Sequence, residues 1–152
     1  WRIAYVHGPE NIIQLLLPFH DNLINCAPVV SQYAALAGLK HHDEILKENK
    51  KVYSQNRDIV MGELDTLSGY FSYSVPEGAY YILVKYKKPQ MSSVELAVKI
   101  LREARVVTIP GSGFGPAGEG HLRFSFACSP EEIGEGFRRL RAWVETLGNV
   151  NN

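Results

Sequence analysis

Residues 109–140 read IPGSGFGPAGEGHLRFSFACSPEEIGEGFRRL, and how this stretch folds decides the rest of the chain. Within it Gly113, Gly115 and Gly118 fit the spelling G-x-G-x-x-G. A dinucleotide cradle of that spelling lies between a strand and a helix N-terminus, whose amides and dipole meet the phosphates. Here the glycines are followed by HLRFSFAC, a strand pattern, and no helix signal comes before Ser129. Pro116 also removes an amide donor from mid-loop. The cradle fails on context. What remains is a glycine-rich turn between strands or a flap bordering a ligand, and the residues alone favour the plain turn.

Outward from the loop, HLRFSFAC alternates. Leu122, Phe124, Phe126 and Cys128 share one side, which places Cys128 in the core, and His121, Arg123, Ser125 and Ala127 share the other. Ser129-Pro130-Glu131-Glu132 spells a capping box with proline at the first helical position. The helix behind it should bury Ile133, Phe137, Leu140, Val144 and Leu147. On the N-terminal side RVVTIP predicts a strand, and Ser92-Ser93-Val94-Glu95 predicts another capped helix with Val94, Ala97, Val98 and Leu101 on its apolar face. YFSYSV and AYYILVKY predict two further strands around a Pro76-Glu77-Gly78 turn. The order is ββαββα, an α/β (α+β) layer of one small sheet with helices against one face.

Between Asp43 and Leu67 no proline occurs, and Ile45, Val52, Ile59, Val60, Leu64 and Leu67 form a narrow apolar stripe. A helix of ~25 residues spans nearly 40 Å, more than a small domain needs, so a domain boundary is expected along it. Before it, VVSQYAALAGL predicts a small-residue helix stopped at Gly38, and Glu10–Leu17 a helix kinked or ended by Pro18. WRIAYV reads as a buried strand already under way, so the chain is expected to be cut from a longer one.

Composition narrows the function. Sixteen basic side chains balance sixteen acidic ones, which leaves no electrostatic footprint for nucleic acid or anionic lipid. No apolar run approaches a membrane span. Two distant cysteines, Cys26 and Cys128, build no disulfide framework and favour a reducing, cytoplasmic setting. His41-His42 open the long helix rather than ligate a metal, and no metal site is expected.

Arg123 lies mid-strand between Leu122 and Phe124. A partly desolvated guanidinium keeps its proton and needs an anionic partner, and its planar fork suits a carboxylate. Taken alone, an exposed strand arginine paired to a surface glutamate is the plainer expectation.

The run from Ile109 to Leu140 closely resembles the C-terminal signature of class I/II aminotransferases, the fold type I pyridoxal-phosphate enzymes, in an aspartate-aminotransferase-like form. Three segments agree in order: WRIAYVHGPENII resembles the stretch after the cofactor lysine, QYAALAGL the helix leading to the small domain, and VPEGAYYILVKY the small domain's Pro-Glu-Gly-aromatic strand pair. The resemblance implies that Arg123 binds the substrate α-carboxylate and that Arg2 contacts the cofactor phosphate. It implies that Gly78 and the following aromatics lie near the substrate entrance, and that Gln32 and Tyr33 face a partner subunit in a homodimer. It divides the chain into 1–27, a remnant of the large domain, 28–69, interdomain helices, and 70–152, the C-terminal small domain. The implied activity is amino transfer between an α-amino acid, aspartate by default, and a 2-oxo acid.

The resemblance implies a Schiff-base lysine a short step upstream of the Trp1-Arg2 pair, and none of the eight lysines present matches an imine-forming motif. No catalytic residue is therefore assigned, and the fragment alone is expected to be inactive. Two rivals stand beside this expectation. One is a free-standing amino-acid-binding or regulatory α+β domain without catalysis, and the other a module that dimerises through VVSQYAALAGL.

Overall fold

The computed structural model describes residues 2–149, with side chains through residue 147. It separates into two compact units, Trp1–Asn49 and Lys50–Asn152.

The first unit is helical. Helix α1 spans Glu10–Leu23 and α2 spans Val29–Lys40, each entered from an extended proline, Pro9 and Pro28. Pro18 does not end α1. A proline costs the helix one amide donor, and here the helix continues on both sides while Asn22 Nδ2 donates to the Pro18 carbonyl at 2.6 Å. Gly38 does not end α2 either; the helix stops at His41, whose backbone has left helical geometry at φ −114° and ψ 23°. The expected strand at the start is absent from the described residues 2–9, which form neither helix nor strand ladder. A strand exists through its ladder, and no described neighbour supplies one. Trp1, its first expected residue, lies outside the described residues.

Helix α3, His42–Thr66, is continuous through the division between the units. Its C-terminal half belongs to the second unit and buries Asn56, Val60 and Leu64. Ile45 and Val52, from the expected stripe, are exposed.

The second unit is the ββαββα layer. Strands β1 (Phe71–Tyr73), β2 (Tyr81–Tyr86), β3 (Ile109–Pro110) and β4 (His121–Ser125) form one sheet in the order β1-β2-β4-β3. Every neighbouring pair is antiparallel. Helices α4 (Ser93–Ala104) and α5 (Pro130–Asn149) complete the layer. Ile82, Val84, Leu122 and Phe124 from the sheet meet Leu64 of α3, Ile100 of α4 and Phe137 and Leu140 of α5 in one buried cluster. Each such side chain contributes ~1.5–3 kcal/mol when fully withdrawn from water. Phe124 and Phe137 stack at 6.1 Å between ring centres.

Both capping boxes form. Ser92 Oγ accepts from the Glu95 amide while Glu95 accepts from the Ser92 amide, and Ser129 and Glu132 do the same. Helix α4, however, buries Ser93, Leu96, Ala97, Ile100 and Ala104, and exposes Val94, Val98 and Leu101. The helix carries two apolar stripes, and the one whose i, i+3, i+4 spacing includes Ile100 faces the sheet. Strand β3 is shorter than expected because Arg105, in the left-handed conformation at φ 58°, ends α4 and delays the extended chain. Cys128 is exposed, not core: β4 ends at Ser125, so alternation no longer governs position 128. In its place Trp143 joins the core and donates its indole N–H to Glu103 at 2.7 Å.

Candidate functional site

The sheet's two faces differ in character. On β4 the alternation that buries Leu122 and Phe124 turns Arg123 to the other face. There it lies opposite Leu83 of β2 and Ile109 of β3, both partly exposed. The face is open, and a groove of about 500 Å³ runs over it past Ser72, Tyr81, Leu83, Lys85 and His121.

Arg123 is half-buried and clamped. Its Cζ sits 4.1 Å from the centre of the Tyr81 ring and 4.9 Å from that of Phe114. Cation–π contact of this kind holds a guanidinium plane without using its hydrogen-bond donors. Those donors are not used within the chain: Nε is buried with no acceptor, and no carboxylate among the described residues pairs with the side chain. The plainer expectation, a surface ion pair to a neighbouring glutamate, is therefore not met. A buried donor without a partner is rare in folded proteins and calls for an explanation, an acceptor from outside the chain being one. The Phe114 ring was not identifiable from the sequence, whereas Tyr81 is one of the aromatics after Gly78 that the resemblance places near the substrate entrance, and it shares the parity of its strand's outer face.

Phe114 comes from the glycine loop. Gly111–Phe114 and Pro116–Gly118 are two short 3-10 turns between β3 and β4. Gly111 and Gly118 lie back to back: a Cβ on either would overlap the other's carbonyl oxygen. Gly115 supplies the φ of +111° that joins the two turns. Gly113, the first glycine of the dinucleotide spelling, has open space around it. The spelling thus arises from loop packing and not from phosphate contact.

Around the β1–β2 turn, Gly78 has an ordinary φ and Ala79 carries the left-handed one, 63°. Tyr80 there packs 4.4 Å from Tyr81 and 5.6 Å from Tyr53, centre to centre. Aromatic rings therefore run from α3 through the turn to the arginine.

In the first unit Arg2 lies in the irregular segment before α1 with its side chain exposed and no hydrogen-bond partner among the described residues. A pyridoxal phosphate pocket needs an imine-forming lysine, a carboxylate for the ring nitrogen and donors for the phosphate. The described segment around Arg2 holds neither lysine nor aspartate. Arg2 fits one phosphate contact; the residues present do not make the whole pocket. Tyr33 is exposed, and Gln32 Nε2 donates to the Ala27 carbonyl at 2.8 Å. His42 begins α3, with its Nε2 3.1 Å from Asp43, and no group of three metal-ligating side chains occurs among the described residues. No described helix is long and apolar enough to cross a membrane.

The sequence profile of the family described as aminotransferase class I and II matches residues 1–140. The candidate aminotransferase YugH of Bacillus subtilis (strain 168) is 34% identical over 95% of the chain and 37% of its own length. An aspartate aminotransferase of Pyrococcus horikoshii is 32% identical over 95% of the chain and 37% of its own length. Among solved structures, an aromatic aminotransferase from Pyrococcus horikoshii OT3 superposes with a TM-score of 0.81 at 30% identity, covering 93% of this chain and 38% of that one. The chain therefore spans less than two fifths of the length of the relatives it matches.

Proposed function

The chain belongs to the class I and II aminotransferases, and from that membership we propose that it serves amino transfer between an α-amino acid and a 2-oxo acid, with Arg123 gripping the substrate α-carboxylate. The observation that carries this is the guanidinium packed on the Tyr81 and Phe114 rings with its Nε buried and lacking an acceptor. The aromatic clamp orients the plane in advance, so little is lost in ordering when a carboxylate docks. Pyridoxal phosphate, when bound, supplies the electron sink for the exchange of amino groups. Within this chain Arg2 would add one phosphate contact. Residues 1–27 would belong to the large domain, 28–69 to the interdomain helices and 70–152 to the small domain.

Aspartate is the default substrate, in line with the name of the Pyrococcus horikoshii relative, while the aromatic name of the structural neighbour marks the competing choice. A homodimer, with Gln32 and Tyr33 toward the partner, and a cytoplasmic setting, in keeping with two exposed free cysteines, complete the proposal. None of the eight lysines matches the imine-forming motif that the resemblance implies, so the chain alone should not turn over.

The test is Arg123→Ala in the full-length enzyme. Losing one partner of such a pair costs ~2–5 kcal/mol, so the amino-acid KM should rise at least ~30-fold. Unchanged kinetics would remove the carboxylate role, and turnover by this chain alone with added pyridoxal phosphate would overturn the claim of inactivity.

A further inference from the structure

We propose that Glu119 is a positioning residue for Arg123: it fastens the glycine loop to the first turn of α4 and so holds the Phe114 ring on the guanidinium. The inference rests on the carboxylate-binding role of Arg123 and names what keeps that side chain in place.

Phe114 is 57% exposed, so core packing does not set its position. Its loop is rich in glycine, and such a segment has many conformations open to it unless tied down. The ties meet at Ser93, the first residue of α4, which is fully buried. One Glu119 oxygen accepts from the Ser93 amide at 2.6 Å, and the other accepts from the Ser93 hydroxyl at 2.9 Å. Ser93 Oγ also lies 3.0 Å from Ser112 Oγ and accepts from the Ser112 amide at 3.3 Å. The Tyr86 hydroxyl lies 2.7 Å from the Met91 carbonyl and 3.2 Å from Glu119, and the Tyr86 amide donates to the Gly120 carbonyl at 3.1 Å.

One serine hydroxyl thus grips both ends of the loop, at Ser112 and Glu119, and Phe114 lies between them. The Glu119 amide-bound carboxylate sits where the positive end of the α4 dipole favours negative charge. The bonds from the Ser93 amide and hydroxyl hold its carboxyl below the ordinary 4.5, so it is an ionised, accept-only group at neutral pH. The capping box of α4 uses different atoms, Ser92 and Glu95. The loop fastening is therefore an addition to the helix cap and not part of it.

The experiment compares four variants of the full-length enzyme by amino-acid kinetics and by the rate at which phenylglyoxal modifies Arg123, read by mass spectrometry of the Arg123 peptide. Glu119→Ala frees the loop, so KM should rise about tenfold with kcat changed far less, and Arg123 should react several-fold faster. Ser93→Ala, which keeps the amide but loses the shared hydroxyl, should shift both readouts in the same direction, and it carries the test if Glu119→Ala does not fold. Glu119→Gln should restore both, because its amide oxygen still accepts from the Ser93 amide and its nitrogen can donate to Ser93 Oγ. Ser92→Ala weakens α4 through the separate cap, so it should lower Tm while leaving KM and Arg123 reactivity unchanged.

If Glu119→Ala and Ser93→Ala lower Tm no differently from Ser92→Ala and move neither KM nor phenylglyoxal reactivity, the positioning role is wrong. Phenylglyoxal reactivity reads the clamp directly. A failure of the carboxylate role would show as Arg123→Ala with an unchanged KM, whatever the modification rates do.

Discussion

The first unit is at least as apolar in sequence as the second, but the two treat it in opposite ways. In the second, nineteen hydrophobic side chains from Val60 to Val144 close into one core. In the first, Ser31 is the only buried side chain among the described residues, while Leu23, Tyr5 and Phe19 stand 81%, 80% and 69% exposed. Helices without tertiary packing are marginal at the lengths of α1 and α2. The second unit therefore holds its own stability, and the first has apolar surface that its own residues leave uncovered.

Amide hydrogen exchange gives the largest test of that contrast. Amides of β2 and β4 should exchange about a thousandfold or more slowly than those of α1 and α2 in the same sample. Equal protection in both units would break the comparison. Substitutions sharpen it: Leu122→Ala, from a fully buried site, should cost ~2–5 kcal/mol of chemically measured stability. Leu15→Ala, at 67% exposure in α1, should stay within ~0.5 kcal/mol. Comparable losses at both sites would show that α1 packs as firmly as the sheet.

The smallest effect is with pH. Glu95, Glu103, Glu119 and Glu135, all in the second unit, have carboxyls held below the ordinary 4.5 by hydrogen bonds, Glu135 to about 2 through Arg138 and Arg139. A folded value below the unfolded one stabilises above the unfolded value and is lost as pH falls through the folded one. The thermal midpoint of the sheet unit should therefore decline as pH is lowered from about 5 toward about 2, by a modest amount because these groups are solvent-exposed. A midpoint that rises on acidification would contradict the bonding described for these carboxylates.

What was legible in the sequence was local or strictly periodic. Both capping boxes declare themselves by a spacing of three residues, and the alternation of HLRFSF placed Leu122, Phe124 and Arg123 on their observed faces. Helix α4 misled because two apolar stripes fit its period, and only the position of the sheet selects Ile100 over Val98. Cys128 misled because alternation was carried past the end of its strand. The family resemblance, and not periodicity, singled out Arg123 and Arg2. What fixes the rest of the surroundings of Arg123 was hidden by distance along the chain: Phe114 comes from the glycine loop, and Glu119 meets Ser93 across 26 positions. No local pattern records such a pairing.

The back-to-back glycines carry a consequence for anyone altering this protein. At Gly111 and Gly118 the obstacle to a methyl group is main chain, which cannot rotate aside as a side chain would. Neither position can be exchanged first and rescued later by its mate, since shrinking the neighbour is already impossible. A library that randomises this hairpin should hold both fixed and spend its diversity at Gly113, where an added Cβ meets nothing within 4 Å.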